Sequence, residues 1–329
     1  MSVKYNVKKY LGAAVLLGLL ITGCKKIEEG FLSDGLYIPD TPIKVQRGNA
    51  FQKTSAILAD GTTQPMTVKL LDIRRIDNKK HADEFFKEYP VYVYTAAVDP
   101  ATDTTIELVN KKRELKKLQP FVFLTSGQFV FNGATDSLPL GIDYEYDIEV
   151  SNVAGSKVYK NIGMLTTIDP PLVTEMTTGC NFFPDDGSAT VPMGAASMTV
   201  TRVSESGASV ILKITDKDGK PFNPKKGEII KRGDRPIFEN YARFHPIEYT
   251  DTAMICNFEI APFPLSRYSS GGTNWNYLMY YRIPSSFLSV DKNLTSKIGS
   301  VNPLFAFRLM KAGVYVVELR LPKTIKTTP

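Results

Sequence analysis

Gly141-Ile142-Asp143-Tyr144-Glu145-Tyr146-Asp147-Ile148-Glu149-Val150-Ser151-Asn152 decides the fold of this chain. Tyr144, Tyr146, Ile148 and Val150 alternate without a break with acidic residues. Successive side chains of a strand point to opposite faces. A spacing of two therefore specifies a strand with one apolar face in a core and its Asp and Glu in water. A helix would scatter the same apolar side chains around its circumference. Val153-Ala154-Gly155-Ser156 then turns the chain into another strand, Lys157 to Thr167.

Upstream, the same alternation marks Thr67-Val68-Lys69-Leu70, Val91-Tyr92-Val93-Tyr94 and Phe121-Val122-Phe123-Leu124. Turn clusters such as Ala59-Asp60-Gly61-Thr62 separate these strands. One helical insert is expected at Lys79 to Tyr89, where Phe85, Phe86 and Tyr89 can share a face. Tyr144, at the start of its strand, resembles the tyrosine corner of immunoglobulin and fibronectin-type sandwiches. Residues 40–168 thus read as an Ig-like, fibronectin-III-like β-sandwich. Asp169-Pro170-Pro171 ends it, because consecutive prolines stop a strand and stiffen the passage onward.

Residues 169–329 read as a second, larger sandwich or jelly-roll. Strands are expected at Met198 to Val203, Ser209 to Thr215, Met254 to Ile260, Tyr277 to Ile283, Leu304 to Met310 and Gly313 to Leu321. Asp216-Lys217-Asp218-Gly219-Lys220 and Lys311-Ala312-Gly313 read as hairpin turns. The last strand sets Tyr315, Val317, Leu319 and Leu321 opposite Val316, Glu318 and Arg320. The expected fold class is all-β, with two sandwich domains.

The first residues carry an address. Lys4, Lys8 and Lys9 precede an apolar run from Leu11 to Ile21 and the tetrapeptide Ile21-Thr22-Gly23-Cys24. This is the layout of a secretory signal, too short to span a membrane as a helix. It resembles the lipobox of bacterial lipoproteins, which implies removal of residues 1–23 and lipidation of Cys24. Lys25-Lys26-Ile27-Glu28-Glu29-Gly30 opens a polar tether over 24–39. Such a charged lead resembles the export signal that places Bacteroidota lipoproteins on the outer membrane, facing the extracellular side. Losing the three lysines of the signal lowers the formal charge from +6 to +3. The remaining excess is weak and scattered, so nucleic acid is not an expected partner.

Enzyme signatures are missing: no phosphate-binding glycine loop, no Gly-x-Ser-x-Gly and no His-Glu-x-x-His occurs. His81, beside Ala82-Asp83-Glu84, reads as an exposed helix start, and His245 as a strand-end residue. Asp185-Asp186-Gly187 and Asp216-x-Asp218-Gly219 each hold part of a calcium loop without its other oxygens, and read as turns. No catalytic residue, metal or cofactor is expected, although a carboxylate pair for glycoside hydrolysis can be assembled from distant strands. Cys180 and Cys256 can form one disulfide or stand as two buried thiols.

One stretch has the composition of a binding site. Arg267-Tyr268-Ser269-Ser270-Gly271-Gly272-Thr273-Asn274-Trp275-Asn276-Tyr277-Leu278-Met279-Tyr280-Tyr281-Arg282 contains the only Trp and a Gly-Gly hinge. Aromatic faces beside amides suit sugar rings or peptide side chains. Trp275, Tyr268, Asn274, Asn276 and Tyr277 are therefore the ligand-binding candidates. On strand spacing Trp275, Tyr277, Met279 and Tyr281 share one face, and Leu278, Tyr280 and Arg282 the other. Tyr277 to Tyr281 equally suit a core. Phe182 and Phe183, before Pro184-Asp185-Asp186-Gly187, are a second candidate. Three strings, Asp103-Thr104-Thr105, Asp136-Ser137-Leu138 and Asp251-Thr252-Ala253, resemble the O-glycosylation sequon of exported Bacteroidota proteins, at Thr104, Ser137 and Thr252.

Cys24 with its tether, Gly30-Phe31-Leu32-Ser33-Asp34-Gly35-Leu36-Tyr37, Tyr280-Tyr281-Arg282-Ile283-Pro284 and the closing Ala312 to Pro322 carry a wider resemblance. Together they resemble a family of Bacteroidota surface lipoproteins encoded near starch-utilisation-type outer-membrane transporters (SusC/SusD-like). That resemblance implies an accessory surface-binding role, with glycan or peptide passed to a TonB-dependent transporter, and no catalytic residues. A structural or assembly subunit that contacts only the transporter or neighbouring lipoproteins is the alternative. A carboxylate-dependent hydrolase comes third.

Overall fold

The computed structural model describes residues 30–99, 101–258 and 260–328. The expected signal sequence, Cys24 and the start of the expected tether lie outside the described residues. The chain is all-β and forms β-sandwiches. It divides into two compact units, one reaching to Val93 and resuming over Leu115–Asp169, the other holding Tyr94–Glu114 and everything from Pro170 onward.

The first unit carries β1 (Ile43–Gln46), β2 (Phe51–Lys53), β3 (Thr67–Arg75), β4 (Tyr89–Tyr94), β5 (Arg113–Leu118), β6 (Phe121–Phe123), β7 (Phe129–Asn132), β8 (Asp143–Asn152) and β9 (Gly155–Ile168). One sheet has the order β1-β9-β8-β3 and the other β2-β7-β6. The first strand pairs parallel with the last. Matched to immunoglobulin strands, these are the G-F-C and B-E-D sets, with β4 and β5 inserted as a separate ribbon between C and D. Tyr144, Tyr146, Ile148 and Val150 are all buried, against Phe129 and Phe131 of the facing sheet. The Tyr146 and Phe129 rings meet edge to face at 5.1 Å.

Two acids of β8 are not in water. Asp143 is exposed and Glu149 half-buried, but Glu145 and Asp147 are buried under side chains from neighbouring segments. Arg74 of β3 grips Asp147 with two hydrogen bonds of 2.8 Å, and Lys79 reaches Glu145 at 2.9 Å. The tyrosine corner is absent as well. The Tyr144 hydroxyl donates to the Glu84 carboxylate at 2.8 Å, not to the upstream backbone. Glu84 stands on α1 (Asp83–Phe86), a single turn that replaces the longer expected helix. Lys87 is already extended, and Pro90 disfavours helical backbone at Tyr89.

Nor do residues 31–39 form a free tether. Leu36 and Ile38 belong to the core, Tyr37 exchanges backbone hydrogen bonds with Leu58, and the Ser33 hydroxyl donates to Asp60 at 2.7 Å. The apolar Leu36-x-Ile38 spacing is itself a short strand pattern.

Tyr146 contains an unsatisfied group: its hydroxyl is buried without a hydrogen-bond partner. Gly163 leaves room for it, since a Cβ there would stand 2.5 Å from that oxygen. An orphaned buried hydroxyl is a net cost. Tyr146→Phe is therefore expected to leave stability unchanged or raise it by up to about 1 kcal/mol. A lowered thermal midpoint would show that the hydroxyl is satisfied in solution.

The second unit contains α2 (Ile106–Asn110) and the strands β10 (Val173–Pro184), β11 (Val191–Gly194), β12 (Ser197–Ser204), β13 (Ser209–Thr215), β14 (Ile230–Lys231), β15 (Glu248–Tyr249), β16 (Met254–Asn257), β17 (Tyr268–Ser270), β18 (Thr273–Asn276), β19 (Met279–Arg282), β20 (Leu288–Val290), β21 (Gly299–Leu309), β22 (Val314–Arg320) and β23 (Thr324–Lys326). Two five-stranded sheets, β11-β10-β21-β19-β14 and β12-β22-β13-β16-β15, enclose one core. β13 and β22 run parallel, which makes this a mixed sandwich and not an antiparallel jelly-roll. Tyr315, Val317, Leu319 and Leu321 face inward, as their alternation specifies. Lys311-Ala312-Gly313 is not a hairpin turn. It carries the chain from β21 in one sheet to β22 in the other.

Cys180 and Cys256 are buried free thiols in the same core, not a disulfide. Burial pushes both up to about 12. Asp216 closes the turn after β13 from a fully buried position. Its carboxylate accepts three backbone N–H groups, from Asp218, Lys220 and Lys326, each at 2.9 Å.

Candidate functional site

Gly271 and Gly272 both have positive φ, 55° and 77°, and join β17 to β18. Ser270 pairs with Thr273, so these glycines form the two-residue loop of a type I′ hairpin, a geometry that side chains resist. Ser269, Ser270, Thr273 and Asn274 are exposed on this hairpin. The Asn274 side chain accepts from the Asn276 backbone N–H at 2.9 Å.

The strand does not continue from Trp275 to Tyr281. Asn276 adopts φ 53°, and the Leu278 N–H returns to the Trp275 carbonyl at 3.1 Å. This turn resets the alternation before β19. Tyr277 is buried against Arg308, whose guanidinium carbon lies 5.2 Å from its ring, while Met279 and Tyr281 enter the core. Tyr268 leans on Tyr241, at 6.0 Å between rings, and packs on the core. Trp275 instead joins Tyr280, the rings 5.7 Å apart and nearly perpendicular at 78°. The expected common face of Trp275 and Tyr277 is therefore broken by one left-handed asparagine.

Around Trp275 and Tyr280 the structure gathers residues far apart in the chain. The Arg235 guanidinium carbon stands 5.5 Å from the Trp275 ring and 4.9 Å from that of Tyr280. Arg232 lies 4.7 Å over Phe183 and 6.0 Å from Tyr280. Arg282, two residues after Tyr280 on β19 and so on the same face, donates from Nε to the buried Asn302 at 2.9 Å. Each stacked pair gains cation–π attraction of about 0.5–2 kcal/mol. Arg232, Arg235 and Arg282 have no acidic partner among the described residues. Burial, followed by the charges of Arg235 and Arg282, holds the Arg232 guanidinium below its usual range. Trp275 Nε1 is buried without an acceptor. The result is an aromatic cluster carrying uncompensated positive charge and an unused donor.

No protein-family model matches this chain, and no curated protein does. Its chemistry therefore has to be read from the residues.

Of the sequence candidates, Trp275 enters this cluster, Asn274 and Asn276 shape the hairpin beside it, and Tyr268 and Tyr277 are packing residues. Phe183 joins through Arg232, whereas Phe182 is buried in the core. Arg232 and Arg235 were not legible from the sequence. Lys231-Arg232-Gly233-Asp234-Arg235 resembles any charged loop until the fold lays it against Tyr280.

The remaining candidates have structural surroundings. His81 is exposed, stacks on Phe86 at 4.7 Å and meets Asp72 at 2.6 Å through Nδ1. His245 lies in the bend before β15, on an open cleft of about 510 Å³ with Glu239, Arg243 and Tyr249. Glu239 is the only acid among that cleft's lining residues, and it accepts the hydroxyls of Tyr249 and Tyr281. Asp186 pairs with Lys297 at 3.1 Å and caps its own turn at Ser188. Thr104, Ser137 and Thr252 are all exposed. Among the described residues no group of three or more His, Cys, Asp or Glu is placed to hold a metal.

Proposed function

We propose that this is a lipid-anchored accessory protein of the cell surface that captures a glycan or peptide for a TonB-dependent outer-membrane transporter. The observation that carries the binding role is the Trp275 cluster. Two aromatic rings and uncompensated guanidiniums lie together beside an exposed hairpin of short polar residues, which suits recognition and supplies no acid–base pair. The lipobox-like Ile21-Thr22-Gly23-Cys24 supports the anchor. Phe31, whose N–H donates to Thr63, stands only seven positions after Cys24 in the sequence. Six extended residues reach at most about 20 Å, which would hold the first unit close to the membrane.

Trp275→Ala is expected to weaken binding to a responsive glycan or peptide about tenfold, the loss of roughly 1.4 kcal/mol of aromatic contact. Thermal melting should change little, since the ring is half-buried with its N–H unsatisfied. Titration calorimetry against glycan and peptide panels makes the measurement, and equal affinity in variant and wild type removes the site.

The assembly-subunit reading has one observation of its own. Tyr92 and Leu115 are exposed on the β4–β5 ribbon, 59% and 58%, where apolar side chains suit a protein partner. Flat titrations on both panels, together with co-purification of a transporter, would favour it.

A further inference from the structure

Three arginines without an acidic partner among the described residues point to the charge of the ligand. Like charges held this close repel, and partial burial strengthens the repulsion by removing water. Stacking on Phe183, Trp275 and Tyr280 stabilises the guanidinium faces but leaves their N–H edges free. Those edges form the planar fork that matches a carboxylate or sulfate. Asn302 uses only the Nε of Arg282, so its terminal nitrogens are also unspent. The border of the cluster is Ser269, Ser270, Thr273 and Asn274, short hydroxyl and amide groups that suit ring hydroxyls better than apolar peptide side chains.

We infer that the ligand of the Trp275 cluster is an acidic polysaccharide, its carboxylate or sulfate groups held by Arg232, Arg235 and Arg282 and its sugar rings lying against Trp275, which the buried Tyr280 backs. The inference rests on the binding role proposed above and adds the chemical class.

The test compares four probes by calorimetry on the full protein: polygalacturonate for carboxylate, dextran sulfate for sulfate, neutral dextran, and poly-glutamate as an acidic peptide. At least one anionic polysaccharide is expected to bind at least tenfold tighter than neutral dextran. Arg232→Gln/Arg235→Gln is expected to lose tenfold or more of that affinity, the order set by charge-assisted hydrogen bonds. Lys116→Gln/Lys117→Gln removes the same charge from β5 and should change binding less than about twofold. Which anionic polymer responds distinguishes carboxylate from sulfate.

Equal losses in both double variants would mean nonspecific polyelectrolyte binding and overturn the inference. Neutral dextran binding as tightly as the anionic polymers, unaffected by the arginine changes, would overturn it and leave the binding role standing. Tightest binding to poly-glutamate would overturn it in favour of an acidic peptide. Flat titrations with all four probes would overturn both this inference and the binding role at this cluster. Circular dichroism checks that the variants are folded. If the arginine pair unfolds the protein, the salt dependence of wild-type binding decides, since affinity unchanged by added salt excludes arginine–anion pairing.

Discussion

Replacing Asp216 with alanine is expected to destabilise the second unit by about 4 kcal/mol, more than a surface turn residue should cost. The carboxylate is fully buried and accepts N–H groups from Asp218, Lys220 and Lys326. Alanine would leave three donors without an acceptor, each costing on the order of 1–3 kcal/mol. Lys326 lies on β23, so the loss should also release the C-terminal strand from the turn that β13 feeds. Asp216→Asn keeps one acceptor oxygen and should cost about half as much. Hydrogen exchange provides the direct readout. The amides of Asp218, Lys220 and Lys326 should be protected in the wild type and exchange freely in the alanine variant. Protection retained there would refute the assignment.

The same group gives a pH dependence. Burial alone would raise the Asp216 carboxyl, but the three backbone N–H groups reverse that and hold it below the ordinary carboxylate range. A depressed carboxylate contributes stability that is complete above the unfolded value near 4 and declines as pH falls through the folded value. The wild type should therefore lose this contribution on acidification, and Asp216→Ala should not.

Arg74→Met is the second large effect, expected to cost the first unit about 3 kcal/mol. Arg74 neutralises Asp147 through paired 2.8 Å bonds and lies 3.6 Å from Glu145, and its side chain is only 19% exposed. Methionine preserves much of the packing but strands Asp147 without a cation. Asp147 would keep only the Asn161 N–H, at 2.7 Å. Urea denaturation followed by circular dichroism should show the affected transition at a midpoint lower by about 1.5 M, for a slope near 2 kcal/mol/M. Arg74→Met/Asp147→Leu should recover most of the loss, because removing both charges removes the stranded one. The hydrogen-bonded Arg74 also holds the Asp147 carboxyl below its ordinary range. The wild type must then lose stability as pH falls below about 4, and the gap to Arg74→Met should narrow there. A double variant no more stable than the single would sink the charge argument.

Both residues show where reading the sequence stops. Asp216 looked like ordinary turn chemistry because Asp-x-Asp-Gly is ordinary turn chemistry; its third N–H donor comes from Lys326, 110 residues away. Glu145 and Asp147 looked solvated because their alternation with Tyr and Ile is that of a half-exposed strand. Alternation cannot say which side chains of other segments lie over the second face, and Arg74 and Lys79 lie there. β10 went unread altogether. Val173-Thr174-Glu175-Met176-Thr177-Thr178-Gly179 has no apolar alternation, and its register slips where Glu175 takes a positive φ. Even so, β10 is the penultimate strand of its sheet and supplies Phe183 to the candidate site.

At that site the sequence singled out Trp275 by composition and the hairpin by Gly271-Gly272. It assigned the wrong neighbours, since one left-handed residue, Asn276, turns the chain between Trp275 and Tyr277.

The sequence by itself determined the all-β class, most strand positions, the inward faces of β8 and β22, and the glycine turns. These follow from side chains adjacent in the chain, whose period of two is a local property of extended backbone. Only the tertiary structure decided which strands are interior, that Arg74 meets Asp147 across 73 residues, and that Arg232, Arg235 and Arg282 gather around two aromatic rings without an acidic partner among the described residues. Those outcomes depend on which strands pair and which loop covers which face. Coulomb and stacking interactions act across space, so no local pattern along the chain encodes them.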